Sequence, residues 1–300
     1  MSVGTAATNS GLVGALGQLV GSSRPLSWIN TAYPFGAAYL LGGGGVDAVF
    51  CIGVLYFLVP YNLLMYGVND VFDYESDLRN PRKGGVEGVV LLSRWHSLTL
   101  WTAVLLNAPV LLVLAAAGTY RSAAVLAFVV FAVVAYSAPG LRFKERPLVD
   151  SMTSSTHFVG PAVFGYVLAR SDVSAPALAV FGAFFLWGVA SHAFGAVQDI
   201  RADVAAGIGS VATWLGAAAT VRLAVACYAG AGVLLLLGSD WPSLLAGLLA
   251  VPYIVNIVPY VSVQERDCET ANAGWRRFLA LNYVTGFLIT QLLIWISLGS

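Results

Sequence analysis

Residues 47–77 read DAVFCIGVLYFLVPYNLLMYGVNDVFDYESD. No residue from Ala48 to Asn69 is charged, and then Asp70, Asp73, Glu75 and Asp77 come in close succession. A run of about 20 mostly apolar residues is what a helix needs to cross a hydrocarbon core about 30 Å thick. The run is continuous rather than alternating, and an open strand cannot satisfy its backbone groups in lipid, so a helix is favoured over a barrel strand. This stretch therefore reads as a spanning helix that ends in a cluster of carboxylates at one membrane surface.

The rest of the chain repeats the pattern. Of 300 residues, 58% are apolar and 10% charged, whereas a soluble domain carries about 25% charged residues. Apolar runs and their polar interruptions place candidate helices at about 25–44, 47–68, 96–118, 121–138, 150–169, 175–197, 212–237, 241–262 and 276–298. The expected fold is an all-α polytopic membrane protein, a bundle of about nine transmembrane helices. Residues 1–22 read as a flexible Gly/Ala/Ser leader, and 23–300 as a single transmembrane domain. Cys51, Cys227 and Cys268 form no ligand or disulfide pattern, and the zero net charge excludes the global field that a nucleic-acid partner requires.

Charge placement sets the orientation. Of the 15 Lys and Arg, all but Arg121 and Arg170 fall in the leader or the even-numbered loops. The positive-inside rule then puts the N-terminus and those loops in the cytoplasm of a multi-pass cell-membrane protein, with the C-terminus outside. Of the 15 acidic residues, all but Asp47, Asp172 and Asp240 share the cytoplasmic side. Acidic residues contribute little to orientation, so their concentration there points to chemistry.

Two clusters carry it. In a continuous helix Asn69, Asp73 and Asp77 are each one turn apart on one face, with Asn62 two turns deeper on the same stripe. Like charges at that spacing repel, so a cation is the natural partner. Magnesium suits hard oxygen ligands and bridges one or two carboxylates to substrate phosphates. The second cluster, Gln198-Asp199-Ile200-Arg201-Ala202-Asp203, ends the sixth span with Asp199 and Asp203 again four apart. Single acids at helix ends are ordinarily solvated boundary markers; two clusters with the same spacing on one face form a pair that can grip a diphosphate through metal. The catalytic set read from them is Asn69, Asp70, Asp73 and Asp199, and the metal set is Asn69, Asp73, Asp77, Asp199 and Asp203.

Arg79, Lys83, Tyr136, Arg142, Lys144 and Arg201 are the candidates for diphosphate contact. Most basic residues here are equally explained as orientation anchors or lipid-headgroup contacts; Arg142 and Lys144, beside the Pro139-Gly140 break, stand out. Asn62, Tyr66, His157 and His192 are candidates for the substrate pocket, since an ionisable or polar group inside a span is a functional candidate. For each histidine the alternative is a neutral, hydrogen-bonded packing role.

Asn69-Asp70-xx-Asp73-xxx-Asp77 resembles the NDxxDxxxD motif of the UbiA-type intramembrane prenyltransferases, and Asp199-xxx-Asp203 looks like their second motif. The resemblance covers the chain after the leader. It implies that Asn69, Asp73, Asp77, Asp199 and Asp203 bind Mg2+ and diphosphate, and that the Tyr136 to Lys144 segment matches the family's basic diphosphate-binding stretch. Ser23-Arg24-Pro25-Leu26-Ser27-Trp28-Ile29-Asn30-Thr31-Ala32-Tyr33-Pro34-Phe35 and His192-Ala193-Phe194-Gly195-Ala196-Val197-Gln198-Asp199 are similar to the lycopene elongase branch. That branch implies a dimethylallyl diphosphate donor and a lycopene acceptor. The sequence departs from many relatives at Gln198, where they have Asn, and from some at Gly207, where they carry a further acid.

Two other readings stand beside this one. The acceptor can be an aromatic or quinone precursor, chlorophyllide or a lipid. In a different class, a cation-coupled transporter also uses intramembrane carboxylates, but it expects them near the bilayer midplane in unwound helices, whereas both motifs here lie at the cytoplasmic boundary.

Overall fold

The computed structural model describes residues 11–78, 90–170, 172–237 and 241–299, and among them every regular element is helical. In chain order these are α1 (Leu12–Ser22), α2 (Ile29–Leu41), α3 (Ala48–Phe72), α4 (Tyr74–Asp77), α5 (His96–Ala117), α6 (Tyr120–Ser137), α7 (Val149–Ala169), α8 (Ala175–Val197), α9 (Ile200–Ala206), α10 (Val211–Leu215), α11 (Ala217–Leu236), α12 (Trp241–Tyr260) and α13 (Asn272–Gly299).

Nine of these occupy the expected spans, and among the described residues seven helices are long and apolar enough to cross a membrane. The other two depart for separate reasons. α2 has only 13 residues, because the glycines from Gly42 to Gly45 end it, with Gly43 at φ +95°, a conformation that glycine adopts without strain. α7 has 21 residues, but its first turns carry Asp150, Ser151, Thr153, Ser154, Ser155, Thr156 and His157. It is a core helix, packed by α2, α6 and α8, which is why a polar sequence is tolerated there.

The expected flexible leader is helical from Leu12 to Ser22. Ala15 and Ser22 are buried, Leu19 packs on the core, and the Gln18 side-chain oxygen accepts the Leu92 N–H at 3.2 Å. Tertiary contacts order a segment whose glycines disfavour helix on their own.

Two large apolar clusters, with a smaller one around Ala38, Ala162 and Tyr166, form the interior. One is built by α2, α3, α5, α6 and α7 around Phe35, Phe57, Tyr61 and Phe164, and the other by α8 to α13 around Phe194, Tyr228, Tyr253 and Phe278. Phe35 lies 5.1 Å from Phe57 and 5.9 Å from Phe164, ring centre to ring centre. Such close packing needs small residues where helices cross. A Cβ on Gly165 would run into the Phe35 carbonyl oxygen, a backbone atom that cannot swing aside. Gly165→Val is therefore expected to lower stability by about 2–3 kcal/mol through overpacking. Thermal unfolding in detergent measures it, and an unchanged midpoint would mean that α2 and α7 do not approach this closely.

Candidate functional site

The first motif is shaped by two irregularities in α3. Residues Leu63–Gly67 form a π turn, a feature that recurs at functional sites because it shifts the register of the residues beyond it. The stripe expected to run from Asn62 to Asn69 is therefore broken. Asn62 is fully buried and turns instead toward α2, donating to Thr31 Oγ1 at 2.8 Å and to the Phe57 carbonyl at 2.8 Å. The helix also stops at Asp73, whose N–H still bonds the Asn69 carbonyl while its own backbone sits at φ −102°, ψ 4°. Asp77 belongs to the separate short helix α4, so one unbroken face through Asn69, Asp73 and Asp77 does not form; its side chain lies outside the described residues, as do Arg79 and Lys83.

The second motif breaks in the same way. α8 ends at Val197, and Asp199 adopts φ −99°, ψ −6° before α9 begins. Both aspartates thus occupy the sparsely populated bridge region, where active-site residues are commonly found. At both, a long apolar helix gives way to a short surface helix. Asp203 donates its N–H to the Asp199 carbonyl at 2.8 Å, one turn further on, and Gly207 closes α9 at φ +70°.

The side chains of the first motif converge on cations from the loop after α6. Lys144 Nζ bonds Asp73 Oδ1 and lies 3.2 Å from Asn69 Oδ1. Arg142 Nη2 is 3.6 Å from the same Asp73 oxygen and also pairs with Glu145. Ser137, at the end of α6, donates to Asn69 Oδ1 at 2.8 Å. Burial pushes the Lys144 ammonium below its usual pKa, and Asp73 opposes that shift. Hydrogen bonding to Arg142 holds the Glu145 carboxyl below its usual range.

Asp70 has a different partner. Its Oδ1 receives Arg24 Nη2 at 3.2 Å, its side chain is fully buried, and the guanidinium lies 4.3 Å over the Tyr66 ring. Arg24 (φ 52°), Arg142 (φ 41°) and Leu148 (φ 68°) are the left-handed non-glycine residues among those described. Two of the three are arginines that pair with the first motif. Left-handed backbone at a non-glycine residue is costly and gathers at functional sites.

Deeper in the bundle, Tyr136 Oη is 3.3 Å from His192 Nε2, and Ser151 Oγ is 3.0 Å from His192 Nδ1. The His157 ring meets Tyr136 edge-on at 5.0 Å, and His157 Nε2 reaches the Ala132 carbonyl at 3.4 Å. Tyr136 and Ser137 are neighbours on α6, so one turn of that helix touches both Asn69 of α3 and His192 of α8. Arg201 faces elsewhere, pairing with Glu269 at 3.3 Å on the exposed surface.

Sequence reading missed three side chains of this assembly: Ser137, Ser151 and Asp150. Asp150 is fully buried and accepts N–H groups from Ser151 and Val211, both at 2.7 Å, so one carboxylate caps the starts of α7 and α10. Its only sequence signal is an acid in the first turn of an apolar run. The pairing of Arg24 with Asp70 was equally hidden.

Among the described residues no three His, Cys, Asp or Glu side chains gather at one point, so a fit to magnesium rests on Asn69 and Asp73. Asn69 and Asp73 offer hard oxygens that already meet at one cationic group, the Lys144 amine. Magnesium needs only one or two carboxylates when substrate phosphates complete its shell, so a sparse donor set is sufficient.

The model of the UbiA prenyltransferase family matches residues 31–284. The chain belongs to this family. It is an integral membrane prenyl transferase, and the transporter reading falls away. Relatives of this UbiA-family enzyme include the "C(50) beta-cyclic carotenoids biosynthesis protein LbtBC" of Dietzia sp., 53% identical over 95% of the chain. The chain spans 66% of that protein's length. A "Lycopene elongase/hydratase" of Corynebacterium glutamicum is 50% identical over 91% of the chain and 95% of its own length. Among solved structures, a UbiA homolog from Archaeoglobus fulgidus bound to DMAPP and Mg2+ shares the fold with a TM-score of 0.67 at 17% identity, covering 91% of this chain and 99% of its own.

Proposed function

We propose that this UbiA-family enzyme transfers a dimethylallyl group from its diphosphate to lycopene, a step of fifty-carbon carotenoid biosynthesis. The observation that carries the donor half is the meeting of Asn69 and Asp73 with Lys144 and Arg142 at the end of an apolar bundle. That is a place where an anionic headgroup binds while its hydrocarbon tail stays in the lipid-like interior. The acceptor half rests on relatives half identical to the chain that are named for lycopene elongation and fifty-carbon carotenoids.

Asn69, Asp73, Asp77, Asp199 and Asp203 would hold Mg2+. When bound, Mg2+ supplies neutralisation of the charge that builds on the leaving diphosphate. Lys144 and Arg142 would turn from Asp73 toward phosphate oxygens, for which a lysine acts as a point charge and an arginine as a bidentate fork. The apolar walls keep water from an allylic cation that it would hydrolyse. Lycopene offers no charged group, so its selection falls to an apolar passage open to lipid. The N-terminus and both motif ends face the cytoplasm in this reading, where the diphosphate donor is dissolved, and the C-terminus lies outside.

The test is expression in a lycopene-producing bacterium, with pigments analysed by mass. Products heavier by one or two five-carbon units are expected. Unchanged lycopene, together with transfer of labelled dimethylallyl to 4-hydroxybenzoate in the same membranes, would replace the acceptor.

A further inference from the structure

We propose that Tyr136 and His192 form the proton-removing relay that ends the reaction, with Tyr136 Oη as the group facing the substrate and His192 as the proton's destination. The inference rests on the prenyl-transfer reading above and adds the step that the aspartate motifs leave undone. When the allylic C–O bond breaks, diphosphate leaves with the electron pair. The acceptor's terminal double bond then supplies the pair for the new C–C bond, which leaves a tertiary cation on the acceptor. To give an alkene, an adjacent C–H bond must yield its electron pair to the new double bond and its proton to a base.

The geometry offers that base one layer below the diphosphate end. His192 precedes Asp199 by seven residues, which is about 10 Å along a helix, roughly the depth of a short prenyl chain whose headgroup sits at the motif. Its two ring nitrogens are both engaged, Nε2 with Tyr136 Oη at 3.3 Å and Nδ1 with Ser151 Oγ at 3.0 Å. With Nδ1–H donating to Ser151, the Nε2 lone pair accepts the Tyr136 hydroxyl proton. As Tyr136 Oη takes the substrate proton it passes its own to Nε2, and both atoms and charge balance. Behind them the buried Asp150 carboxylate holds the Ser151 N–H at 2.7 Å, a negative charge placed near the imidazolium that forms. His157, edge-on to Tyr136, has its Nε2–H at a backbone carbonyl, so it shapes the tyrosine's position rather than competing for the proton. Tyr136 and His192 are both half-buried deep in the bundle, whereas Ser151, Asp150 and His157 are buried. The less buried members of the relay are thus Tyr136 and His192. Ser151 Oγ orients the imidazole through Nδ1, the positioning role that the third group plays in a hydrolase triad.

The experiment compares Tyr136→Phe and His192→Gln with wild type, in the full-length protein supplied with dimethylallyl diphosphate and lycopene. The readout is the ratio of alkene to alcohol among the prenylated products, so misfolded molecules contribute nothing. Both variants are expected to lower that ratio about 100-fold, the scale of a general base, because the cation persists until water captures it. An unchanged ratio in either variant overturns the relay, as does a wild-type product that is wholly alcohol. Variants that are folded but release no diphosphate also overturn it, returning Tyr136 to the donor site. Wild type that adds no five-carbon unit at all would instead remove the transfer reading beneath it.

Discussion

Asp73→Asn is expected to cut prenyl transfer by about 100- to 1000-fold, the loss typical of removing one group aimed at charge that develops in the transition state. The substitution keeps the shape of the side chain and removes its charge. In the resting protein Asp73 meets both Lys144 and Arg142, so the amide would weaken the cationic cluster as well as the proposed hold on Mg2+. Lys144, already pushed toward its neutral form by burial, would lose the carboxylate that opposes that shift, and donor binding should weaken together with turnover. Rates over a range of donor concentrations, in membranes with and without a chelator, separate the two effects. Wild-type turnover in folded Asp73→Asn protein would take Asp73 out of the site altogether. Asp199→Asn should lose activity on the same scale, because its backbone sits at the same kind of helix break.

Arg24→Ala should lower stability markedly. Asp70 has no exposed side-chain surface and Arg24 only 18%, so truncating the arginine removes a charge-assisted hydrogen bond from a buried carboxylate, at a cost of about 2–3 kcal/mol. The guanidinium stack on Tyr66 goes with it, worth about 1 kcal/mol or less. Thermal unfolding in detergent gives the size of the loss. The double change Arg24→Met with Asp70→Leu distinguishes a structural pair from a working one. Replacing a buried ion pair by apolar residues commonly recovers stability, so the double variant is expected to be more stable than Arg24→Ala alone. Activity near that of wild type in the double variant would mean that Asp70 has no part in the chemistry. A single Arg24→Ala variant as stable as wild type would show that the pair is not formed in the membrane.

The membrane class, the helical bundle and the two acidic motifs were legible in the sequence because each is a local property. Uninterrupted apolar length decides what crosses lipid, and acids one turn apart decide where a cation is wanted. The prominence of Arg142 and Lys144 was legible for the same reason, since both lie beside the break at Pro139-Gly140. What failed were extrapolations of ideal geometry. The face through Asn62, Asn69, Asp73 and Asp77 assumed one regular helix, and the π turn at Leu63–Gly67 with the stop at Asp73 divides it. The glycines of the leader predict a flexible segment, and contacts with Leu92 and the core make part of it a helix.

The sequence by itself therefore determined that this protein lives in the membrane, that it is helical, and that two of its apolar runs end in carboxylate clusters. Only the tertiary structure decided which partner each polar side chain takes. Arg24 and Asp70 are 46 residues apart, Lys144 and Asn69 are 75, and Tyr136 and His192 are 56. Hydropathy and helical period act within a few turns. The pairing of a buried charge is settled by which helices pack together, because a charge taken out of water must find its counterpart wherever the fold places one.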